Sequence, residues 1–376
     1  MYTRRNFLFS FGLLGASIGL GAAWWSREGR DSLERLYVSA AEQKKRGFGL
    51  GWTSETGEED QHVLSGFRGH AVVQHPVRPE NVLMIGRRPA AESIEASLTN
   101  GRVVRRFHAG NQRHFYGHAC FSRDGKHLYT TENDLRTGDG LVVVRDALDY
   151  RVLNEMPSYG IGPHQIESMP DGRTLVVANG GIKTHPSFGR KKLNLDSMQS
   201  SLTFIDRLTG ELLERQRVEE AKASIRHLSV SDSGRVAVAM QVQRQAMIHG
   251  GPVALAATCR QGEALRLLRE PAEMTAALKD YLGSVAICEA AGTVAATSPR
   301  GNVAIFWRLE DGAFGGYHRL FDVCGVTVTH DQRYFALSNS QGHIHHIDAR
   351  TFTEDKSQRL HLAGVRWDNH LTIARL

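Results

Sequence analysis

The sequence predicts an all-β fold, a seven-bladed β-propeller in which the C-terminal strand closes the N-terminal blade. Two observations lead to this prediction. Seven related segments recur along the chain, and each begins a set of strand-like runs separated by turns. The two ends of the chain also supply complementary parts of one further sheet. A pair of β-sandwiches, the alternative all-β arrangement, gives no reason for this split repeat.

The seven segments share a small or polar start, often with a histidine, followed by an apolar strand-like run. They read GHAVVQHP from Gly69, GHACFSRDG from Gly117, PHQIESMPDG from Pro163, RHLSVSDSG from Arg226, GSVAICEAAG from Gly283, CGVTVTHDQ from Cys324 and NHLTIARL from Asn369. Further strand-like runs follow, such as TLVVANG, LTFIDRLTG and ELLERQRV after the third segment. The segments begin 41 to 63 residues apart. This spacing suits one four-stranded antiparallel unit per repeat.

The ends of the chain explain the incomplete repeat. NHLTIARL supplies only a first strand, whereas ERLYVSAAEQ, GFGLGW and DQHVLSGF near the start supply three strands without a first. A C-terminal strand placed inside this N-terminal sheet covers an edge that would otherwise favour aggregation. We therefore expect the propeller to occupy residues 35–376.

The first residues are typical of a twin-arginine export signal. Arg4 and Arg5 precede a moderately apolar, glycine-rich run over residues 7–25. This pattern predicts a signal segment over 1–23, a linker over 24–34, recognition by the twin-arginine translocase and a periplasmic location. An ordinary membrane anchor is the alternative, because a run of 19 mostly apolar residues just spans a bilayer. An uncleaved signal would tether the protein to the membrane.

The composition excludes several classes of protein. It contains 41% hydrophobic and 23% charged residues, which is ordinary for a packed globular protein. A formal net charge of +6 on an exported protein gives little support to nucleic-acid binding. The cysteines form no Cys-x-x-Cys metal motif and no Cys-x-x-Cys-His motif, so covalent c-type haem is excluded and a disulfide framework is not expected. These cysteines are Cys120, Cys259, Cys288 and Cys324.

Histidine stands at the start of most first strands. First strands line the central channel of a propeller, so these residues are expected beside it, at the solvent-facing start of their strands. Ser284 and Cys324 take the equivalent places in the fifth and sixth segments. The histidines are His70, His118, His164, His227 and His370.

Five imidazoles drawn towards one axis favour a metal site at a histidine-lined mouth of the channel. Three or four of them would bind one ion and the rest would support these ligands, with the Cys324 thiol close by. Two structural explanations compete with this one. The histidines could support a buried hydrogen-bond network, as in WD-type propellers, although His118 precedes Asp124 by only six residues and so lies beside the channel. Each could also simply bond to a neighbouring blade.

Polar residues also occur in the loops predicted to surround this mouth. They are candidates for gating, substrate contact or partner docking, and they are Glu132, Asp134, Asn179, His185, Arg300 and Arg88. His185 belongs to a long insertion in a single blade, and loops of this length are commonly functional.

Several long motifs resemble a family of twin-arginine-exported propellers of unassigned function. They read RHFYGHACFSRDGKHLYTTEND, GIGPHQIESMPDGRTLVVANGGIKTHP, KLNLDSM, SIRHLSV, TSPRG, DVCGV and RWDNHL. The resemblance covers nearly all of the mature chain. Members of this family are typically encoded beside imelysin-type periplasmic iron-uptake proteins and a di-haem peroxidase-like partner. The resemblance therefore implies a role in periplasmic iron or copper handling, and it supplies no established catalytic residues.

Three functions remain open on the sequence. The favoured one is a periplasmic accessory protein of iron or copper handling that binds a metal at the histidine-lined mouth. The second is a propeller enzyme, a hydrolase or an oxidoreductase at the same mouth. An oxygen-rich calcium site of the lactonase kind would depend on Asn179 and on the stretch from Glu132 to Asp134. The third is a ligand-free scaffold that holds a protein partner.

Overall fold

The computed structural model describes residues 34–44, 46–57, 60–189 and 191–376. Within these ranges, 29 strands form seven antiparallel sheets, each of them one blade of a propeller. The predicted seven-bladed β-propeller is thereby confirmed. The predicted signal segment and all of the predicted linker except Glu34 lie outside the described residues.

The chain begins with the outer strands of the blade that closes the ring, here called blade 7. These strands are β1 (Arg35–Gln43), β2 (Gly47–Ser54) and β3 (Asp60–Leu64). Blade 1 follows with β4 (Gly69–Gln74), β5 (Asn81–Gly86), β6 (Glu92–Ser97) and β7 (Arg102–His108). Blade 2 contains β8 (Arg113–Phe121), β9 (His127–Asp134), β10 (Gly140–Asp146) and β11 (Val152–Pro157). Blade 3 contains β12 (Pro163–Ser168), β13 (Thr174–Asn179), β14 (Ser201–Asp206) and β15 (Leu212–Gln216).

The remaining blades repeat this order. Blade 4 contains β16 (Ala223–Val230), β17 (Val236–Val242), β18 (Ala256–Cys259) and β19 (Arg266–Leu268). Blade 5 contains β20 (Ser284–Cys288), β21 (Thr293–Ser298), β22 (Val303–Arg308) and β23 (Phe314–Arg319). Blade 6 contains β24 (Val323–Val328), β25 (Tyr334–Asn339), β26 (His343–Asp348) and β27 (Glu354–His361). The last strands are β28 (Val365–Trp367) and β29 (Thr372–Arg375).

Helical structure is sparse in the described ranges. A short helix α1 (Ala272–Ala277) connects blades 4 and 5, and two single-turn 3₁₀ helices span Pro186–Phe188 and Arg244–Ala246. No helix of the described residues is long and apolar enough to cross a membrane. All four cysteines are free and buried.

The burial of each strand follows its position in the blade. Strand β5 reads NVLMIG and is buried along its whole length, because both of its faces pack against neighbouring sheets. The outer strand β7 reads RVVRRFH and is largely exposed. The core therefore lies between adjacent blades, as where Phe306 of blade 5 stacks on Phe335 of blade 6 with ring centroids 5.8 Å apart.

The innermost strands form a closed ring around the channel. Strands β4, β8, β12, β16, β20 and β24 lie side by side in that order. Blade 7 completes the ring because β28 and β29 pair with the inner edge of β1, with Ala41 opposite Trp367 and Leu36 opposite Ala374. The Thr372 hydroxyl donates to the carbonyl of Val72 in blade 1 at 2.9 Å, which ties the closing strand to its neighbour.

Candidate metal centre

Five histidines from five blades meet on the axis of the propeller, and we call them the histidine cluster. They are His70 of β4, His118 of β8, His164 of β12, His227 of β16 and His370 between β28 and β29. One potential ligand atom from each of the first four lies within 4.8 Å of all the others. The ring centroid of His370 lies 4.6 Å from those of His70, His118 and His227. The sequence prediction that these side chains converge is confirmed.

A β-bulge places each of the first four histidines. The register of the first strand shifts between Gly69 and Val72 in blade 1 and between Phe115 and Ala119 in blade 2. Equivalent shifts occur beside His164 and His227 in blades 3 and 4. Blade 5 has serine at the equivalent position, and its first strand pairs without a shift. A bulge bends the strand and re-aims its side chains, which here brings the imidazoles to the channel axis.

Gly117 shows how closely the backbone fits around the cluster. It adopts a φ of +112°, a conformation that side-chain-bearing residues rarely adopt. A Cβ atom at this position would lie 2.6 Å from Cδ2 of His70. The glycine before His118 therefore makes room for the histidine of the preceding blade.

The cluster is buried, which corrects the expectation that its histidines face solvent. The first four side chains belong to residues that are only 1% to 7% exposed. The rings cover one another, since the ring centroid of His70 lies 4.6 to 6.0 Å from those of the other four histidines. Buried imidazoles need partners, since an unpaired polar group in a protein interior is costly.

Most of the ring nitrogens in the cluster have no hydrogen-bond partner among the described residues. Both nitrogens of His227 are buried and unpaired, as are the Nε2 atoms of His70, His118, His164 and His370. Nδ1 of His70 makes no close hydrogen bond but faces the Asp368 carboxylate at 3.8 Å. A hydrogen bond to a neighbouring blade would have satisfied these atoms, so this structural explanation for the histidines does not account for them. Unpaired nitrogens that face one another are what a bound cation requires.

The imidazoles are in the form that coordinates metals. Burial lowers the pKa of His70 to about 4 and is the largest cause of the low pKa of the other four rings. Repulsion from neighbouring rings and from Arg226 lowers the pKa values of those four further. The rings are therefore neutral at neutral pH, and a neutral imidazole offers a lone pair to a metal.

The spacing of the nitrogens suits a single ion. Bonds of about 2.1 Å place the nitrogens around a metal roughly 3 to 4 Å apart. The four ligand atoms lie within 4.8 Å of one another, so small rotations of the rings bring three or four of them into that range. The Asp368 carboxylate lies 3.8 Å from Nδ1 of His70, in a position to orient that ring.

A cavity of about 450 Å³ opens above the cluster. His70, His164 and His227 form part of its lining. Three of the predicted mouth residues line it as well, namely Arg88, His185 and Arg300. The cavity is also lined by Arg87, Tyr116, Lys192, Arg226, Tyr281 and Asn369.

The family of the chain follows from comparison with known sequences. The family described as "Protein of unknown function (DUF1513)" matches residues 65–374. The chain belongs to this family. Among curated proteins, no sequence matches it. Among solved structures, hydrazine synthase from Kuenenia stuttgartiensis is similar, with a TM-score of 0.60 and 12% sequence identity over 87% of this chain and 89% of that one. At this identity the similarity shows the propeller fold alone.

In this member of the DUF1513 family, Cys324 lies outside the group of four imidazole ligands. The thiol donates weakly to the carbonyls of Ser338 and Trp367, at 3.5 and 3.4 Å. It packs in an apolar cluster with Trp367 and Leu371, and burial raises its pKa. A thiol must lose its proton to bind a metal, so this environment does not favour Cys324 as a ligand.

Glu132, Asp134 and Asn179 occupy strands rather than mouth loops, and they do not line the cavity. Glu132 is fully buried in β9, where it accepts a hydrogen bond from Arg145 at 2.6 Å. Asp134 accepts from the backbone of Arg136 at 2.8 Å. The Asn179 amide donates to the Ser158 carbonyl at 3.0 Å. The two carboxylates are therefore already paired, and among the described residues neither belongs to a group that could hold a metal ion. The Asn179 Oδ1 atom is buried without a hydrogen-bond partner.

A second group of ligand-type residues lies between blades 5 and 6. Ligand atoms of His318, His345 and Glu354 are within 4.8 Å of one another. Here the partners are already present, because Nδ1 of His345 lies 2.9 Å from Glu354 and Arg359 binds both oxygens of the same carboxylate. This group is an ion-pair network.

The missed residues carried little signal in the sequence. Arg226 precedes His227 in the repeat and is surrounded by protein, but a single arginine before a strand usually faces solvent. Asp368 precedes the last strand in RWDNHL and binds Arg68 and Arg87, each at 2.7 Å. Both positions could have been found only by noting that they neighbour the repeated histidine.

Proposed function

We propose that this protein is a periplasmic accessory protein of iron or copper handling, which binds the metal ion in the histidine cluster. The observation that carries the proposal is the set of buried imidazoles whose ligand atoms lie within 4.8 Å of one another and have unpaired nitrogens. Arranging these groups together in the apo protein costs desolvation and repulsion, which a bound cation offsets. Metal binding explains why the protein keeps these costly buried histidines better than a purely structural role does.

The donor set supports a first-row transition metal. Imidazole nitrogen suits iron, copper, nickel and zinc, whereas calcium and magnesium prefer oxygen ligands. The resemblance to exported propellers encoded beside imelysin-type proteins favours iron or copper within this group. We further propose that Arg4 and Arg5 direct the folded protein to the twin-arginine translocase, and that imelysin-type iron-uptake proteins or a di-haem peroxidase-like protein are its partners.

Equilibrium dialysis of the metal-free protein against ferrous, ferric and cupric ions tests this function. Wild type is expected to retain about one ion per chain, because the cluster encloses one site. The double variant His118→Ala/His164→Ala removes two of the four ligands and is expected to lose this ion while the blades stay folded.

A matched control separates ligand loss from the general cost of removing buried histidines. His75 and His346 are buried outside the cluster, where they bond to the carbonyl of Ala147 and to Tyr37. His75→Ala/His346→Ala is expected to melt at a lower temperature and still bind the ion. A wild-type protein that retains none of these ions would overturn the metal proposal and favour the scaffold.

A further inference from the structure

The cavity above the histidine cluster carries a strong positive charge. Five basic residues line it, namely Arg87, Arg88, Lys192, Arg226 and Arg300, and none of its described lining residues is acidic. Asp368 binds Arg87 and neutralises part of this charge. A cavity of this kind concentrates anions.

Buried hydrogen-bond donors around the cavity are also incompletely satisfied. Nε of Arg226 is buried and finds no hydrogen-bond partner among the described residues. The buried hydroxyls of Tyr116 and Thr184 lie near each other, and Tyr116 lies near Arg88, but neither hydroxyl makes a direct hydrogen bond of good geometry. Tyr116 and Thr184 are 2% and 4% exposed. Unpaired buried donors beside several cations call for an acceptor with more than one oxygen.

We propose that this cavity binds a small organic polycarboxylate anion. Carboxylates accept paired hydrogen bonds from guanidinium groups, and several carboxylates on one molecule can reach several of these cations at once. A volume of about 450 Å³ lies within the usual range for small-molecule sites. Both features match a metabolite-sized ligand.

The position of the cavity gives the anion a further role, which rests on the metal-binding function proposed above. His70, His164 and His227 line the same cavity, so a carboxylate bound there reaches an ion in the cluster. A free metal cation is repelled by the basic lining, whereas a metal carried as an anionic polycarboxylate complex is attracted. On arrival, imidazole nitrogens replace carboxylate oxygens on the ion, with no electron transfer.

Titration of the metal-free protein with citrate, followed by calorimetry, tests the anion site. The variant Arg300→Gln removes an exposed cation at the cavity rim that stacks over Tyr281, 4.8 Å from the ring centroid. Arg319→Gln is the matched control, because Arg319 is also exposed and stacks over Tyr317 at 5.6 Å but lies outside the cavity. Arg88→Gln provides a second variant within the cavity.

Citrate is expected to bind wild type and Arg319→Gln equally and to bind Arg300→Gln and Arg88→Gln roughly tenfold more weakly, because each loses charge-assisted hydrogen bonds. Binding is expected to weaken as salt is added. Equal citrate affinity for wild type and both cavity variants would overturn the proposal. Inorganic phosphate that binds as tightly as citrate would also overturn it, since the site would then recognise any oxyanion.

Parallel dialysis keeps the two proposals separate. Metal uptake from citrate-free buffer tests the histidine cluster alone. Protein that takes up metal but shows no citrate binding would contradict the anion site and leave the metal centre standing. Protein that binds citrate but no metal supports the anion site and contradicts the metal centre. Faster loading from the metal citrate complex than from the free ion at low salt is expected if both are correct.

Discussion

At the scale of single residues, the candidate metal centre depends on a backbone geometry that allows five imidazoles to pack together on the axis. The bulges beside the histidines turn the side chains towards the axis, and Gly117 leaves room for His70. The nitrogens then face one another without hydrogen-bond partners among the described residues. Changes to the backbone at these positions should therefore disturb the site without removing a ligand.

Gly117→Ala tests this dependence. The added methyl would lie 2.6 Å from the His70 ring, and φ is +112°. Folding is expected to be destabilised by about 1–3 kcal/mol from strain alone, with weaker metal binding because His70 must move. Gly47→Ala is the control, because φ there is +109° and nothing lies within 4 Å of its Cβ position. Denaturation and dialysis of both variants check the result, and equal metal affinity in the two would contradict the role of Gly117.

The buried histidines also predict how the stability of the metal-free protein depends on pH. Burial lowers the pKa of His70 and His114 to about 4, below the usual value near 6.5 of the unfolded chain. As pH falls, these histidines therefore bind protons in the unfolded chain at a higher pH than in the folded protein. The free energy of unfolding decreases as pH falls from about 7 towards 4, by on the order of 2 kcal/mol per histidine at pH 5.

One group opposes this trend. Burial raises the pKa of Glu167 to about 7, so its contribution to stability increases on acidification. The histidines outnumber it, and the net free energy of unfolding is expected to decrease in acid. Denaturant unfolding of chelator-treated protein at pH 7.5, 6.5 and 5.5 measures this. Stability that is constant or higher at pH 5.5 would show that the rings are not held neutral by burial.

At the scale of strands and blades, the sequence was sufficient for the repeat and for its closure. Alternating apolar runs and regular turns depend on local chemistry, which is why β4, β12 and β29 fell where the segments predicted. The bulges could not be predicted in this way, because the repeated pattern does not distinguish a shifted register, present in blade 6 without a histidine, from the regular one of blade 5. The burial of Glu132 could not be predicted either, because it depends on an ion pair with Arg145 of the next strand in the same blade.

Deletion of residues 369–376 tests the closing strand. The truncated protein would lose β29 and leave part of the inner edge of β1 unpaired, so it is expected to unfold at a lower temperature and to aggregate. His370→Ala is the control, since it removes the imidazole that this segment contributes to the histidine cluster but keeps the strand. A truncated protein that melts and dissolves like wild type would contradict the closure of the ring.

At the scale of the whole molecule, the propeller brings together groups that are far apart in the chain. His70 and His370 are separated by 300 residues and belong to blades that meet only when the ring closes. The same arrangement gathers Arg87, Arg226 and Arg300 above the cluster. The candidate site therefore exists only in the assembled ring. It combines the neutral histidine cluster with a positively charged cavity above it.

X-ray absorption spectroscopy of the iron- or copper-loaded protein tests the central claim most directly. We expect three or four nitrogen ligands at about 2.0 to 2.2 Å, with the outer scattering of imidazole rings. His118→Ala/His164→Ala, loaded in parallel, is expected to lose this signal. A metal bound by oxygen or sulfur without imidazole, or an imidazole spectrum that the double variant retains, would contradict the histidine cluster as the metal centre.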